Sequence, residues 1–328
     1  MHKMEENSLI VESNGNHYNV VDFLKNHPGG RNYVEFSKNQ DVVSKMEKTH
    51  HSKSAFYLLR EYKVGGRDEK NNNGEEDLEK LVDWNKPMLC QVGSLGSRYM
   101  EWVTSPVDRK LRLFANPLIE GLSITPWYVV PLVWTPIISY MIYCGSLHYI
   151  EVTSDPCPIV PVIIFLCLGI LIWTLFEYCL HRWVFHIEPS GSSQVLIYVH
   201  FAMHGLHHKV PFDSTRLVFP PAPAALIGAV SYNVLKLVLP SSIKLLVFGG
   251  GLLGYVIYDM IHFYLHYGAP EEGTILYTMK RHHNQHHFAR HDKGFGISNL
   301  FWDRIFGTLI LLRKLAFGIK WGKPIKTS

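Results

Sequence analysis

His181-Arg-Trp-Val-Phe-His186, His204-Gly-Leu-His207-His208, His262-Phe-Tyr-Leu-His266 and His283-Asn-Gln-His286-His287 are the four groups around which this chain is organised. Thirteen of its 19 histidines fall between residues 181 and 291, about a third of the 328 residues. On an α-helix, residues three and four apart share a face, so each HxxHH set is expected to line up three imidazoles as one stripe. Neutral imidazole is the commonest side-chain metal ligand near neutral pH. His181 and His186 are five apart. On a regular helix they point well apart, so the helix is expected to end or distort between them.

Long apolar runs flank these groups. No Asp, Glu, Lys or Arg occurs between Glu120 and Glu151. Residues 127–147 and 156–176 are each long enough to cross a bilayer, which takes about 20 apolar residues. The connection 144–158 carries Glu151 and Asp155 but no Lys or Arg, whereas the flanks hold Arg109, Lys110, Arg112 and Arg182. The positive-inside rule puts that connection in the lumen and both flanks in the cytosol. Residues 217–239 and 243–267 form a second, weaker pair joined at Pro240-Ser241-Ser242, with Gly249, Gly250, Gly251 and Gly254 allowing close helix approach. Two such excursions return all four histidine groups to one cytosolic face. Ten histidines at ligand spacing exceed the four that one zinc normally takes, so two metal ions are implied.

The first ninety or so residues read as ordinary soluble protein. Polar and apolar residues alternate over 8–21 and then reach His27-Pro28-Gly29-Gly30. Pro28 fixes φ and the two glycines allow a tight turn, so His27 is displayed at a stiff corner. A histidine pair, His50-His51, follows about two dozen residues on. Two histidines so placed can clamp a haem iron from both sides, leaving no position open for oxygen, and such a site carries electrons. These residues resemble the cytochrome b5 family. That resemblance implies a haem b with His27 and His51 as axial ligands, and His50 as the fallback. Little chain precedes Leu9, so the module is expected to be short at its amino end, with a core that a bound haem would help to hold together.

Residues 67–77 contain no apolar side chain and read as a flexible tether, followed at 78–125 by Trp84, Trp102 and a basic cluster suited to a membrane interface. The expected organisation is a haem domain at 1–66, a linker at 67–80 and a membrane domain at 81–328. The net charge of +4 is mild and scattered, so nucleic acid is not an expected partner. The five cysteines lack CxxC spacing and are expected to be free thiols. No apolar leader opens the chain, so no cleaved signal peptide is expected.

Two metals among imidazoles, beside a one-electron carrier on the same side of a membrane, suggest oxygen activation. Iron is the first candidate because zinc offers no redox change, although imidazole also suits zinc. The series HxxxxH, HxxHH, HxxxH, HxxHH resembles the membrane fatty acid hydroxylase superfamily. With the fused b5 module, Leu81-Val-Asp-Trp-Asn-Lys-Pro87, Glu177-Tyr-Cys-Leu-His-Arg182, Tyr258-Asp-Met-Ile-His262 and Gly294-Phe-Gly-Ile-Ser298, it is most similar to that superfamily's fatty acid 2-hydroxylases. The resemblance implies an α+β haem-binding cytochrome b5-like domain, then an all-α integral membrane domain with about four spans and a cytosolic histidine-rich helical cap. It implies metal ligation, and with it catalysis, by His181, His186, His204, His207, His208, His262, His266, His283, His286 and His287, with His200, His282 and His291 outside the set. Glu177 and Asp259, about one helical turn before ligand histidines, are candidates to orient them.

The activity implied is O2-dependent hydroxylation of a fatty acyl or ceramide chain at C2, within sphingolipid metabolism. The partners implied are membrane lipid and an NAD(P)H-dependent cytochrome b5 reductase-type electron donor, and the site is the endoplasmic reticulum membrane. The rivals are a sterol or other lipid hydroxylase or desaturase with the same dinuclear site, and a non-catalytic membrane haem or metal carrier.

Overall fold

The polar and apolar alternation at the amino end folds as a hairpin. Strands β1 (Ile10–Ser13) and β2 (Asn16–Asn19) turn at Asn14-Gly15, both at positive φ, the twist that a two-residue hairpin loop needs. Helices α1 (Arg31–Glu35), α2 (Val42–Lys48) and α3 (Lys53–Leu59) follow, the last two capped by the side chains of Asp41 and Ser52. Strand β3 (Lys63–Gly66) closes an antiparallel sheet in the order β1-β2-β3. The core of this module is small: Val11, Val20, Leu24 and Leu58 are its buried apolar residues among those described. This computed structural model describes residues 9–35, 41–66, 77–315 and 318–322.

Of the expected linker, residues 67–76 lie outside the described residues. Leu78–Leu81 is already a 3-10 turn with Leu78 and Glu79 buried, so those residues belong to the packed fold rather than to a tether. Helices α4 (Leu89–Val92) and α5 (Tyr99–Val103) build a core with Ile197, Phe201 and Leu206. Trp102 is fully buried there, 5.6 Å from the Phe201 ring and with the Lys209 ammonium 4.4 Å from its own. It is a core residue and not the interfacial aromatic expected from its basic neighbourhood.

Helix α6 (Pro117–Ser123) leads to the apolar helices α7 (Val129–Thr153) and α8 (Ile159–Cys179). The first expected span stops too early at 147. The helix continues to a left-handed Ser154 (φ 54°), so most of the expected 144–158 connection is helical. Helix α8 runs on into a π-helical turn, Leu180–Phe185. Next come α9 (Gln194–His200), a second π-helical turn, Phe201–Gly205, and α10 (Leu206–Lys209). The remaining helices are α11 (Pro221–Val238), α12 (Ser241–Tyr267), α13 (Ile275–Phe288) and α14 (Phe301–Ile305).

Four of these helices are long and apolar enough to cross a membrane, α8 being counted with its π-helical extension. They make the second part of the chain an integral membrane domain. Helix α11 begins at Pro221 and not at 217, because proline suits only the first turn of a helix and residue 220 is proline too. Phe219 is held instead by Asp259, which accepts from the Phe219 N–H at 3.2 Å. Helix α12 is the inner one, packed against both α7 and α8. A Cβ at Gly169 would run into the backbone of Val247, and one at Gly250 into that of Leu166, so this close crossing requires glycine on both helices.

Candidate metal and haem sites

All ten histidines of the four motifs converge, in two groups of five. The first is His181, His186, His204, His208 and His286; the second is His207, His262, His266, His283 and His287. Within each group the candidate ligand atoms lie within 4.8 Å of one another. Each HxxHH set is therefore divided and does not form a single stripe. His204 and His208 join the first group while His207 joins the second; His283 and His287 join the second while His286 joins the first. The cause is helical geometry. At about 100° per residue, a residue four on is displaced about +40° and one three on about −60°, so a helix between two centres presents each to a different side.

His181 and His186 show the opposite device. The π-helical turn widens the ring of the backbone, with His186 N–H donating to His181 O at 3.0 Å, and brings two imidazoles five apart to ring centroids 4.9 Å from each other. The distortion expected from their spacing is present.

The donor chemistry suits metal ions. Nε2 atoms of different rings approach to 3.1 Å (His181 and His204), 3.0 Å (His204 and His208), 3.1 Å (His262 and His283) and 2.8 Å (His266 and His283). Nitrogens about 2.1 Å from one ion and at right angles around it stand at such separations. Buried ring nitrogens of His186, His207, His208, His286 and His287 have no hydrogen-bond partner in the protein, a costly arrangement unless something else binds them. Burial, and then the neighbouring imidazoles, hold His204, His207, His208, His283 and His287 well below the ordinary histidine pKa. The rings are neutral at pH 7, the form that binds metal.

One loop orients two of these rings. His181 Nδ1 bonds the Phe295 carbonyl at 2.6 Å and His286 Nδ1 bonds the Lys293 carbonyl at 2.7 Å. The loop is in turn pinned by two carboxylates. Glu177 accepts from the backbone N–H groups of Ile297 and Ser298 at 3.0 and 2.8 Å, and Asp303 from those of Phe295 and Gly296 at 2.9 and 2.8 Å. Glu177 and Asp259 thus act on backbone segments, and among the described residues neither bonds an imidazole. Asp303 and the two carbonyls escaped the sequence reading. The Gly294–Ser298 motif was their only signal, since a carbonyl leaves no mark in the side-chain pattern. His200, His282 and His291 lie outside both groups; His200 Nδ1 is bonded to the Tyr99 hydroxyl at 2.6 Å.

Lys209 anchors α10 from below. Its ammonium donates to Glu79 at 2.7 Å and to the carbonyls of Trp102 and Ser105 at 3.0 and 2.7 Å, and burial pushes it down to about 8. Beside the two groups lies an apolar cavity of about 370 Å³. Its walls include Leu113, Phe114, Phe185, Met203 and Leu217, and His204, His207 and His262 reach its surface, so it touches both groups. Arg216 also lines it and is neutralised by Glu120.

In the amino-terminal module, His27 and His51 face each other with ring centroids 6.2 Å apart and planes 12° apart. His27 Nδ1 bonds Gly30 O at 2.8 Å, and His51 Nδ1 bonds Met46 O at 3.2 Å and the Thr49 hydroxyl at 2.8 Å. Each Nε2 is left for a ligand, and the spacing suits two rings bound to opposite sides of one iron through bonds of about 2 Å. Burial, partly offset by the Gly30 carbonyl, brings His27 down to about 4. His50 is exposed at positive φ, so it is His51 that the structure brings to His27.

A two-histidine module joined to a membrane domain that gathers ten imidazoles defines a membrane protein with two candidate metal centres and a candidate haem site. Residues 1–67 match the cytochrome b5-like haem/steroid binding domain and residues 166–308 match the fatty acid hydroxylase family. The chain is 43% identical to the fatty acid 2-hydroxylase of Macaca fascicularis, over 89% of each chain. It is 42% identical to a dihydroceramide fatty acyl 2-hydroxylase of Arabidopsis thaliana, over 70% of this chain and 93% of that one. A solved structure described as full-length scs7p, with only the hydroxylase domain visible, superposes with a TM-score of 0.62 at 32% identity, covering 70% of this chain and 86% of that one. The chain belongs to the fatty acid 2-hydroxylase family.

Proposed function

We propose that this protein hydroxylates C2 of fatty acyl chains destined for, or already within, ceramide. The observation that carries the reading is the pair of five-histidine groups opening on one apolar cavity. Relatives named fatty acid 2-hydroxylase and dihydroceramide fatty acyl 2-hydroxylase support it. Each group would hold one metal ion through its five imidazoles. Five donors exceed the four that a structural zinc takes, which favours iron, with zinc as a replacement in preparations. The metals would supply the redox chemistry that reduces O2.

The rest is the work of the chain's own side chains. Leu113, Phe114, Phe185 and Met203 hold the acyl chain and exclude water, so that selectivity comes from which carbon reaches the surface formed by His204, His207 and His262. The Phe295 and Lys293 carbonyls, fixed by Glu177 and Asp303, hold the protons of His181 and His286 on Nδ1 and leave Nε2 to ligate. Each turnover takes up one O2, two electrons and two protons and yields one alcohol and one water. His27 and His51 would hold a haem b, which would supply one-electron transfer, with an NAD(P)H-dependent cytochrome b5 reductase-type protein as the external donor.

Helix α6, with Leu118 and Leu122 exposed, would lie at the membrane surface beside the cavity and admit substrate from lipid. The tight 154–158 connection, free of Lys and Arg, would face the lumen of the endoplasmic reticulum, leaving the haem module and the histidines in the cytosol. Expression of the full chain in cells that lack 2-hydroxylase activity, followed by lipid mass spectrometry, tests the proposal. Accumulation of 2-hydroxy ceramide is expected, and its absence with haem and metal bound would reject the reading.

A further inference from the structure

The residue after His27 is held by the metal-bearing helix. Pro28 O accepts from Asn284 Nδ2 at 3.3 Å and from Trp321 Nε1 at 3.2 Å. Asn284 lies on α13 between His283 and His286. Residues 318–322 run along the same turn of the haem module. Arg31 N–H donates to Lys320 O at 2.9 Å, Lys320 N–H to Asn32 Oδ1 at 3.1 Å, and Asn32 Nδ2 to Gly318 O at 3.2 Å. The other edge of this segment is fixed to α13, where Ile319 N–H donates to the Tyr277 hydroxyl at 2.8 Å. Trp321 is buried, and the Lys280 ammonium lies 5.0 Å from its ring while bonding the carbonyls of His266 and Gly268. A Cβ at Gly30, where φ is +79°, would stand 2.5 Å from Ile319 Cγ2, so a side chain there would displace the segment.

A column of rings crosses the same contact. Successive centroids are 5.4 Å from His27 to Phe23, 5.9 Å to Phe212, 6.0 Å to Phe288 and 6.1 Å to His287. Three further contacts fix the module from the side: Arg109 with Glu61 at 2.6 Å, the Tyr62 hydroxyl with Asp108 at 2.8 Å, and the Tyr57 hydroxyl with Glu79 at 2.7 Å.

We propose that residues 318–322 are a strap that fixes the His27–Gly30 turn on α13, and that electrons cross to the second histidine group at this contact, with Phe212, Asn284 and Phe288 as positioning residues. The inference rests on the proposed function. A haem carries one electron and a hydroxylation needs two, so the contact is used twice per turnover: each time ferrous haem becomes ferric, the metal pair gains one electron, and the external reductase reduces the haem again. A strapped module makes both transfers without dissociating and finding its place again, which is the advantage of a pre-positioned donor.

The test uses the full-length protein, loaded with haem and metal in lipid nanodiscs. The haem is reduced, the sample is mixed with O2 and acyl substrate, and reoxidation is followed in the haem absorbance. Trp321→Ala and Phe288→Leu are each expected to slow reoxidation at least about tenfold, with haem spectrum, reduction by the reductase and metal content unchanged, while Phe288→Tyr stays near wild type. Hydrogen exchange is the readout independent of turnover: Trp321→Ala should raise exchange at the Arg31 amide. Reoxidation at the wild-type rate in both variants, or unchanged exchange at Arg31, overturns the proposal. If metal-free wild type reoxidises as fast as the loaded protein, the proposed function fails instead, and the strap is judged by the exchange result.

Discussion

The two imidazole centres are built on different principles. His27 stands on a four-residue turn and His51 just before the cap of a short helix, in a module with few buried apolar residues. The ten histidines of the membrane domain stand on helical segments whose register decides the group each ring joins, and nearly all are buried. The haem pair needs two short elements to face each other, whereas the ten histidines need each helix to keep its register.

The sharpest way to break this contrast is to remove one ligand from each centre. His286→Ala is expected to lower 2-hydroxy ceramide, measured by lipid mass spectrometry, more than about 100-fold while the haem absorbance is kept. His27→Ala is the converse: the haem absorbance is lost and both metal ions are retained. Loss of the metals in His27→Ala would show that the centres are not separate.

The helical support of the second centre comes next. Lys209→Met leaves the Glu79 carboxylate buried without its cation and should destabilise the protein by about 3–5 kcal/mol, read as a lower thermal midpoint. Adding Glu79→Leu should recover most of that loss, and no recovery would mean that Lys209 acts in some other way. Asp303→Asn is a smaller change. It weakens the hold on the loop that orients His181 and should cost about 10-fold in metal affinity by chelator competition, with the thermal midpoint little altered.

Stability is also expected to depend on pH. Burial holds His27, His200 and His282 at about 4, below the ordinary 6.5. The unfolded chain takes up these protons first, so the stability is whole above pH 6.5 and is lost as pH falls toward 4. Protein stripped of haem and metal should melt lower at about pH 5 than at about pH 7. An equal melting temperature would contradict the buried, neutral state of these rings.

What could be read from the chain follows the same division. The His27–Gly30 turn is local, so the residues alone pointed to it. The ten histidines were legible as a set because the spans bring their motifs to one face, and the π-helical turn at His181–His186 was legible as an awkward spacing. Their partition was not: the expectation of one stripe treated i+3 and i+4 as equivalent, although the two positions turn opposite ways from residue i. Nor was the support from Lys293 and Phe295 legible, because backbone carbonyls carry no sequence pattern. Span ends were misjudged where proline makes a helix begin later, at 220–221, or where polar residues continue one, at 148–153.

On the proposed reading, the two five-membered histidine groups would hold two ions per chain. Metal analysis of freshly purified full-length protein, normalised to chain concentration, is the direct measurement. Two ions per chain are expected in the wild type, with fewer in His286→Ala and in His266→Ala; a wild type that binds one ion or none, or variants that keep both, would contradict the two-centre reading.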